Sequence, residues 1–99
     1  MFYRLRFAES AEQQFLGFDA RDRRSILDQI KRRLQDEPFT ETKNRKRLRP
    51  NPFAPWELRI GRFRVFYEID AMDSGLVNIL AVGIKKGNRL FIAGTEVKL

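Results

Sequence analysis

Residues 56–69 read WELRIGRFRVFYEI, and this stretch predicts a β-hairpin. On both sides of Gly61 and Arg62, core-type side chains alternate with mainly charged ones, which is the period of a half-buried strand. A two-residue loop with glycine first fits a type II′ turn. With this loop, Arg59 and Arg64 lie directly opposite each other, with Cβ atoms about 5 Å apart. The hairpin therefore places two arginines side by side on one face of a sheet.

Two interpretations of this arginine pair stay open. Like charges in opposed positions destabilise a sheet by a few tenths to about 1 kcal/mol, so something is expected to neutralise them. In the first interpretation, Glu57 and Glu68 on the same face complete a solvated surface network. In the second, the pair clamps a phosphate, because each guanidinium group can donate two parallel hydrogen bonds to phosphate oxygens.

The N-terminal half predicts one strand followed by two helices. Residues 2–7 alternate with the period of a strand. Ser10 and Gln13 have the spacing of a capping box, which predicts the start of a short first helix. Asp19 is the predicted cap of a longer helix over residues 20–35, whose apolar stripe recurs at helical spacing.

The C-terminal half predicts further strands on either side of the hairpin. Residues 37–55 read as a loop with a short strand near 47–49, and LVNILAVGI at 76–84 reads as a central strand. A turn at 87–88 leads into RLFIAG at 89–94, and the segment after it has no assigned structure. The predicted fold class is α+β in the order β-α-α-β-β-β, with two N-terminal helices packed on one face of a small antiparallel sheet.

Composition limits the chemistry of the chain. The 99 residues suit a single domain, residues 1–99, with one core. There is no Cys and no His, which excludes disulfides, thiol nucleophiles and structural zinc sites, and we expect no metal and no cofactor. Acid–base chemistry must come from Lys, Tyr, Glu or Asp with a shifted pKa. Charged residues occur early in MFYRLRFAES and no run of 18 apolar residues exists, so a soluble cytoplasmic protein without membrane contact is expected.

The net charge of +7 is concentrated in residues 43–64, which hold eight basic residues and a single acidic one, Glu57. A polyanion is therefore the first partner to consider. A solvated basic loop or a handle for an acidic protein is the alternative. Phe53 and Trp56 could stack on bases, although a Trp beside a Pro at a strand start is more often packed in a core. The candidate nucleic-acid-binding residues are Lys43, Arg45, Lys46, Arg47, Arg49, Arg62 and Lys86.

The chain from Trp56 onward resembles the RelE/ParE superfamily of bacterial type II toxins. The similarity lies in WELRIGRFRVFYEID, with an aromatic-x-Leu-Arg strand, a Gly turn and an aromatic-Arg pair, followed by LVNILAVGIKKGNRLF. The preceding strand, Arg- and Leu-rich helical hairpin and basic loop agree in order and length, so the resemblance covers essentially all 99 residues.

The resemblance implies a toxin that is neutralised by a cognate antitoxin. RelE-like members are metal-independent endoribonucleases that cut mRNA in the ribosome and so inhibit translation. By position, the implied catalytic residues are Arg59, Arg64 and Lys85. Two departures from the family pattern stand out: Phe91 falls where many members place a Tyr, and Glu57 occupies a position that is often basic.

Three functions are compatible with these departures. The first is a weak nuclease that relies on Arg59, Arg64 and Lys85, with Lys85 or Glu57 as proton carrier, because Phe cannot transfer a proton. The second is a non-catalytic binding module, such as the gyrase-inhibiting ParE branch. The third is an inactive relative of the same fold.

Overall fold

The computed structural model describes residues 2–99, which form two helices and seven strands. In chain order these are β1 (Arg4–Phe7), α1 (Glu9–Leu16), α2 (Ala20–Leu34), β2 (Arg45–Arg47), β3 (Trp56–Ile60), β4 (Phe63–Ile69), β5 (Leu76–Lys86), β6 (Arg89–Ile92) and β7 (Thr95–Val97). The strands form one sheet in the order β2-β3-β4-β5-β6-β7, and β1 pairs with β5. The predicted α+β fold class is confirmed.

The β3–β4 hairpin has the predicted register. Arg59 pairs with Arg64 and Ile60 with Phe63, so Gly61 and Arg62 form the two-residue loop. Gly61 has a φ of 57° whereas Arg62 does not have a positive φ, which is the pattern of a type II′ turn. The local sequence signals were therefore sufficient to place the two arginines opposite each other.

The main core lies between the helices and one face of the sheet. From α2 it takes Ile26, Ile30 and Leu34, all fully buried, and from the sheet it takes alternate residues of the central strands. The cap predicted at Asp19 is present, because its side chain accepts a hydrogen bond of 2.9 Å from the backbone N–H of Asp22. The Tyr67 hydroxyl donates to the carbonyl of Pro38 at 2.7 Å, and burial raises its pKa above the ordinary value.

The start of the chain differs from the prediction in two respects. The capping box at Ser10 was wrong: α1 begins at Glu9 after Ala8, and no side chain caps it. The N–H of Ala8 still bonds to the carbonyl of Ile79, so the chain passes directly from the sheet into the helix and leaves no residue free to cap it. The first strand starts at Arg4 and is parallel to β5, which makes it the exception in an otherwise antiparallel sheet.

One edge of β5 is shared by two strands and a side chain. Its first half pairs with β1 up to Ile79, and its last part pairs with β6 from Ile84. Between them, the backbone N–H of Val82 donates to Oε1 of Gln14 on α1 at 2.9 Å. Gln14 therefore satisfies a backbone group that neither strand reaches.

The segment after β5 folds back over the second face of the sheet. A Cβ placed on Gly83 would lie 2.7 Å from the carbonyl oxygen of Phe91 and 2.9 Å from Cγ1 of Ile92, so β6 passes directly over this glycine. Leu90 and Ile92 then pack in a second apolar cluster with Phe66 and Ala81 of the sheet, together with Ala54. The hairpin continues through a turn at 93–94, where both residues have positive φ, into β7.

The basic loop contains a strand slightly earlier than predicted. It spans Arg45–Arg47 rather than 47–49, because pairing with β3 sets its position. The rest of the loop is ordered around Asn51. Its Nδ2 donates to the carbonyls of Arg49 and Ala54, and its Oδ1 accepts from the backbone N–H groups of Phe53 and Ala54. Among residues 2–99, no helix is long and apolar enough to span a membrane.

A polar network joins β1, β4 and β5 near one end of the sheet. The buried Asn78 accepts from Nε of Arg6 at 3.0 Å and donates to Asp70 at 2.9 Å and to Glu68 at 3.2 Å. Arg6 also pairs with Asp70 at 3.0 Å. The hydrogen bond from Asn78, followed by the one from the Met72 N–H, holds the pKa of Asp70 below its ordinary value.

This network predicts a loss of stability in acid. The hydrogen bond from Arg4, then the N–H of Gly75, similarly lowers the pKa of Asp73 in the folded state from the ordinary 3.8. Stabilisation by Asp70 and Asp73 is therefore complete above that ordinary value and is lost as the pH falls through the folded values. We expect the melting temperature to fall between about pH 5 and about pH 2, and to fall less in Asp70→Asn. An equally steep fall in Asp70→Asn and wild type, followed by circular dichroism, would contradict this.

Candidate nucleic-acid interface

The sheet face opposite the helices carries the candidate site. Residues alternate along a strand, so Leu58 and Val65 enter the main core while their neighbours point to the other side. We call this second side the arginine face and define it by Lys46, Glu57, Arg59, Arg64 and Lys85. Lys85 joins it because β5 lies next to β4, with Arg64 paired to Gly83 two residues earlier.

A cavity of about 370 Å³ opens on the arginine face. It is lined by Glu57, Arg64 and Lys85 from the sheet and by Leu90 and Val97 from the folded-back hairpin, among others. Apolar and charged side chains are therefore mixed around the cavity, and the hairpin also contributes Glu96 and Lys98 to its lining. Such a mixed lining strengthens the interaction of the arginine and lysine with an anion.

Glu57 separates the charges of the arginine pair. Its side chain is 9% exposed and accepts a hydrogen bond of 2.8 Å from Nε of Arg59, whose side chain remains 45% exposed. The interpretation in which glutamates neutralise the arginine pair is therefore correct for Glu57 and Arg59. Glu68 does not take part, because it accepts a hydrogen bond from Asn78 instead. Because only Nε of Arg59 is engaged by Glu57, its terminal nitrogens remain available to a phosphate.

Arg64 is held by its own turn. Its Nη1 donates to the carbonyl oxygens of Gly61 at 2.7 Å and Phe63 at 2.9 Å, so the side chain is fixed without a carboxylate bond. Burial lowers its pKa from the ordinary value; Glu57 acts in the opposite direction, and Arg59 lowers it further. The group still carries a full charge at neutral pH, because an arginine does not deprotonate in proteins. A partly desolvated guanidinium with no ion pair favours a bound anion.

Three of the predicted nucleic-acid-binding residues lie on the helix side instead of the arginine face. Arg45 donates from Nη1 to the carbonyl of Arg33 at 2.7 Å and so holds the end of α2. The guanidinium of Arg47 lies 5.8 Å from the centroid of the Trp56 ring. Arg62 stacks over Phe63 at 5.1 Å and pairs with Asp22 of α2 at 3.6 Å. In a run of consecutive basic residues, strand alternation sends neighbouring side chains to opposite faces.

The remaining predicted residues have different positions. Lys46 lies opposite Glu57 on the arginine face. Lys43 and Arg49 are exposed on the loop, where Arg49 lines a second cavity of about 450 Å³ together with the half-buried Phe53. Trp56 is 4% exposed in the main core, which confirms the packing interpretation for it.

Lys86 and Phe91 lie on the helix side as well. Lys86 comes two residues after Ile84 on β5, and Phe91 pairs with Ile84 from β6. Both line a groove next to α1. Phe91 therefore does not occupy the arginine face, and replacing it with a tyrosine would not add a hydroxyl there. Sequence reasoning missed Asn88 and Lys98, which also line the arginine-face cavity. Their sequence neighbourhoods gave no signal, because the fold-back of the hairpin brings them to the site.

The solved structures identify the fold. One chain of the toxin–antitoxin complex RelBE2 from Mycobacterium tuberculosis superposes with a TM-score of 0.69 and 24% identity, covering 86% of this chain and all of that one. The chain has a RelE-like fold. By sequence, no protein-family model and no curated protein matches it. Within residues 2–99, no group of three or more acidic residues is arranged to hold a metal ion.

Proposed function

We propose that this chain is the toxin of a type II toxin–antitoxin pair and cuts mRNA at the ribosome. The observation that supports it most strongly is that Arg64 and Lys85 line one cavity, with Arg59 paired to Arg64 on the neighbouring strand, in a RelE-like fold. Basic side chains on neighbouring strands hold a phosphate in a fixed geometry, because the strands themselves are rigid.

The proposed reaction is attack of an RNA 2′-hydroxyl on the neighbouring phosphate. The O2′–P bond forms, the P–O5′ bond breaks, and the 5′-oxygen leaves with a proton. Arg59 and Arg64 stabilise the negative charge that develops on the phosphate oxygens. Glu57 and Lys85 are the candidate proton carriers, since both line the cavity. No metal takes part in this scheme.

The proposed partners are an antitoxin protein and ribosome-bound mRNA, in the cytoplasm. Contacts to several phosphates make RNA binding strongly dependent on salt. Lys46, Lys43 and Arg49 are the additional cations that extend the arginine face toward the loop. Arg45, Arg47 and Arg62 have structural contacts and drop out of the proposed RNA interface.

A second candidate is a RelE-like module that binds without cleaving, as a ParE-like gyrase inhibitor would. The observation favouring it is that neither a histidine nor a tyrosine is found among the described residues that line the arginine-face cavity. A carboxylate and an amine must then carry the protons, which is less effective near neutral pH unless their pKa values are shifted.

Expression of the chain alone separates these candidates. The proposed function predicts growth arrest and new mRNA 5′ ends at codon-dependent positions within translated regions. Co-expression of the protein encoded by the adjacent reading frame should abolish both effects. Arrest accompanied by gyrase-linked DNA breaks, without mRNA cuts, would support the second candidate and exclude the first. Normal growth with unchanged mRNA would exclude both and favour an inactive relative of the same fold.

A further inference from the structure

An apolar groove lies on the helix side of the sheet, away from the arginine face. It encloses about 410 Å³ between the end of α1 and the turn that joins β6 to β7. Its lining includes Phe18, Val82, Ile84 and Phe91. Three of these four side chains are only half-buried, so the groove exposes carbon surface that the fold itself does not cover.

The groove follows from the gap at the edge of β5. Pairing with β1 ends at Ile79 and pairing with β6 begins at Ile84, so no strand covers the residues between them. Gln14 satisfies the backbone N–H of Val82, but one polar side chain does not fill the space of a strand.

The rim of the groove is positively charged. The ammonium of Lys86 lies 5.7 Å from the centroid of the Phe91 ring, and the guanidinium of Arg89 lies 5.9 Å from it. Arg89 is neutralised by Glu96 at 2.8 Å. Lys86 forms no ion pair with any carboxylate among residues 2–99. The groove thus combines apolar lining with one free cation at its edge.

We propose that this groove is the docking site for an apolar side chain of the protein partner, with an adjacent acidic residue of that partner paired to Lys86. The inference rests on the proposed function, because the partner is the antitoxin named there. The ammonium of Lys86 at the rim favours an acidic residue on that partner. One free cation beside carbon side chains suits a peptide better than a nucleic acid, whose binding requires neutralisation of several phosphates.

The test uses the full chain in complex with the protein encoded by the adjacent reading frame, with affinity measured by calorimetry. Lys86→Glu should weaken binding by about tenfold or more, and the loss should shrink at high salt. Phe91→Ala should weaken binding by about tenfold, with little dependence on salt. Lys31→Glu is the matched control, because Lys31 is exposed on α2 and does not line the groove.

The outcomes distinguish this inference from the proposed function. A wild-type complex whose affinity is the same in Lys86→Glu and Phe91→Ala overturns the docking site alone. An equal loss in Lys31→Glu and Lys86→Glu also overturns it, because the effect would then come from net charge. Failure of the wild-type chain to bind the neighbouring protein overturns the proposed partner and the docking site together. Circular dichroism melting of each variant verifies that it is folded.

Discussion

Under the proposed function, replacing Arg64 with alanine is expected to lower the rate of mRNA cleavage by about 10²–10³-fold, the usual effect of removing one preorganised donor to a developing negative charge. Arg64 lines the cavity and makes no bond to a carboxylate, so its charge is available to the substrate. Arg64→Lys should recover only part of the rate, because an ammonium keeps the charge but loses the two-pronged geometry. The measurement is cleavage of a ribosome-bound mRNA by the purified protein under single-turnover conditions.

The matched control for this prediction is Arg24→Ala. Arg24 is exposed on α2, so the substitution removes the same charge far from the arginine face. It should leave the cleavage rate within about twofold of wild type, and both variants should melt near the wild-type temperature, as surface substitutions usually do. Equal cleavage by wild type and Arg64→Ala would exclude Arg64 from the catalytic site and reduce the arginine pair to a structural feature.

Replacing Gly83 with alanine is expected to destabilise the fold by about 1–3 kcal/mol, the usual cost of overpacking. The added methyl group would lie 2.7 Å from the backbone oxygen of Phe91, which cannot move without shifting β6. Because β6 carries Leu90 into the cavity lining, the displacement should also open the cavity. Urea unfolding and hydrogen exchange of the β6 amides measure the two effects.

Gly87→Ala is the comparison for this substitution. The Cβ of an alanine at Gly87 has no atom within 4 Å. The substitution therefore lowers the free energy of unfolding only through the positive φ of 62°. It should lower stability without increasing hydrogen exchange at Leu90 and Ile92, which pack in the second cluster. If Gly83→Ala leaves those amides as protected as in wild type, then the close passage of β6 over Gly83 does not control the position of the hairpin.

The fold was predictable where its signals are local. The register of the β3–β4 hairpin follows from a two-residue glycine loop and strict alternation, and both act between neighbouring residues. The cap at Asp19 is similarly local. The cap at Ser10 was wrong because a long-range bond between Ala8 and Ile79 sets where α1 begins. A sequence pattern carries no information on that bond.

The candidate site was predictable to the same extent. Alternation along the hairpin was enough to place Arg59 and Arg64 on one face, and the adjacency of β5 to β4 adds Lys85 to it. The basic run at 43–49 was less informative, since its residues divide between the core side, the arginine face and an exposed loop. Net charge in a segment does not specify the direction of each side chain.

By itself, the sequence determined most of the helices and strands up to β6, the arginine pair and the absence of thiol and imidazole chemistry, because these depend on composition and short-range periodicity. Only the tertiary structure decided that β1 runs parallel to β5. It also decided that β6 passes over Gly83, so that Leu90 lines the cavity on the arginine face. It also placed Lys86 and Phe91 at a separate groove. These features depend on which distant strands become neighbours, and that choice is made by packing of the whole core.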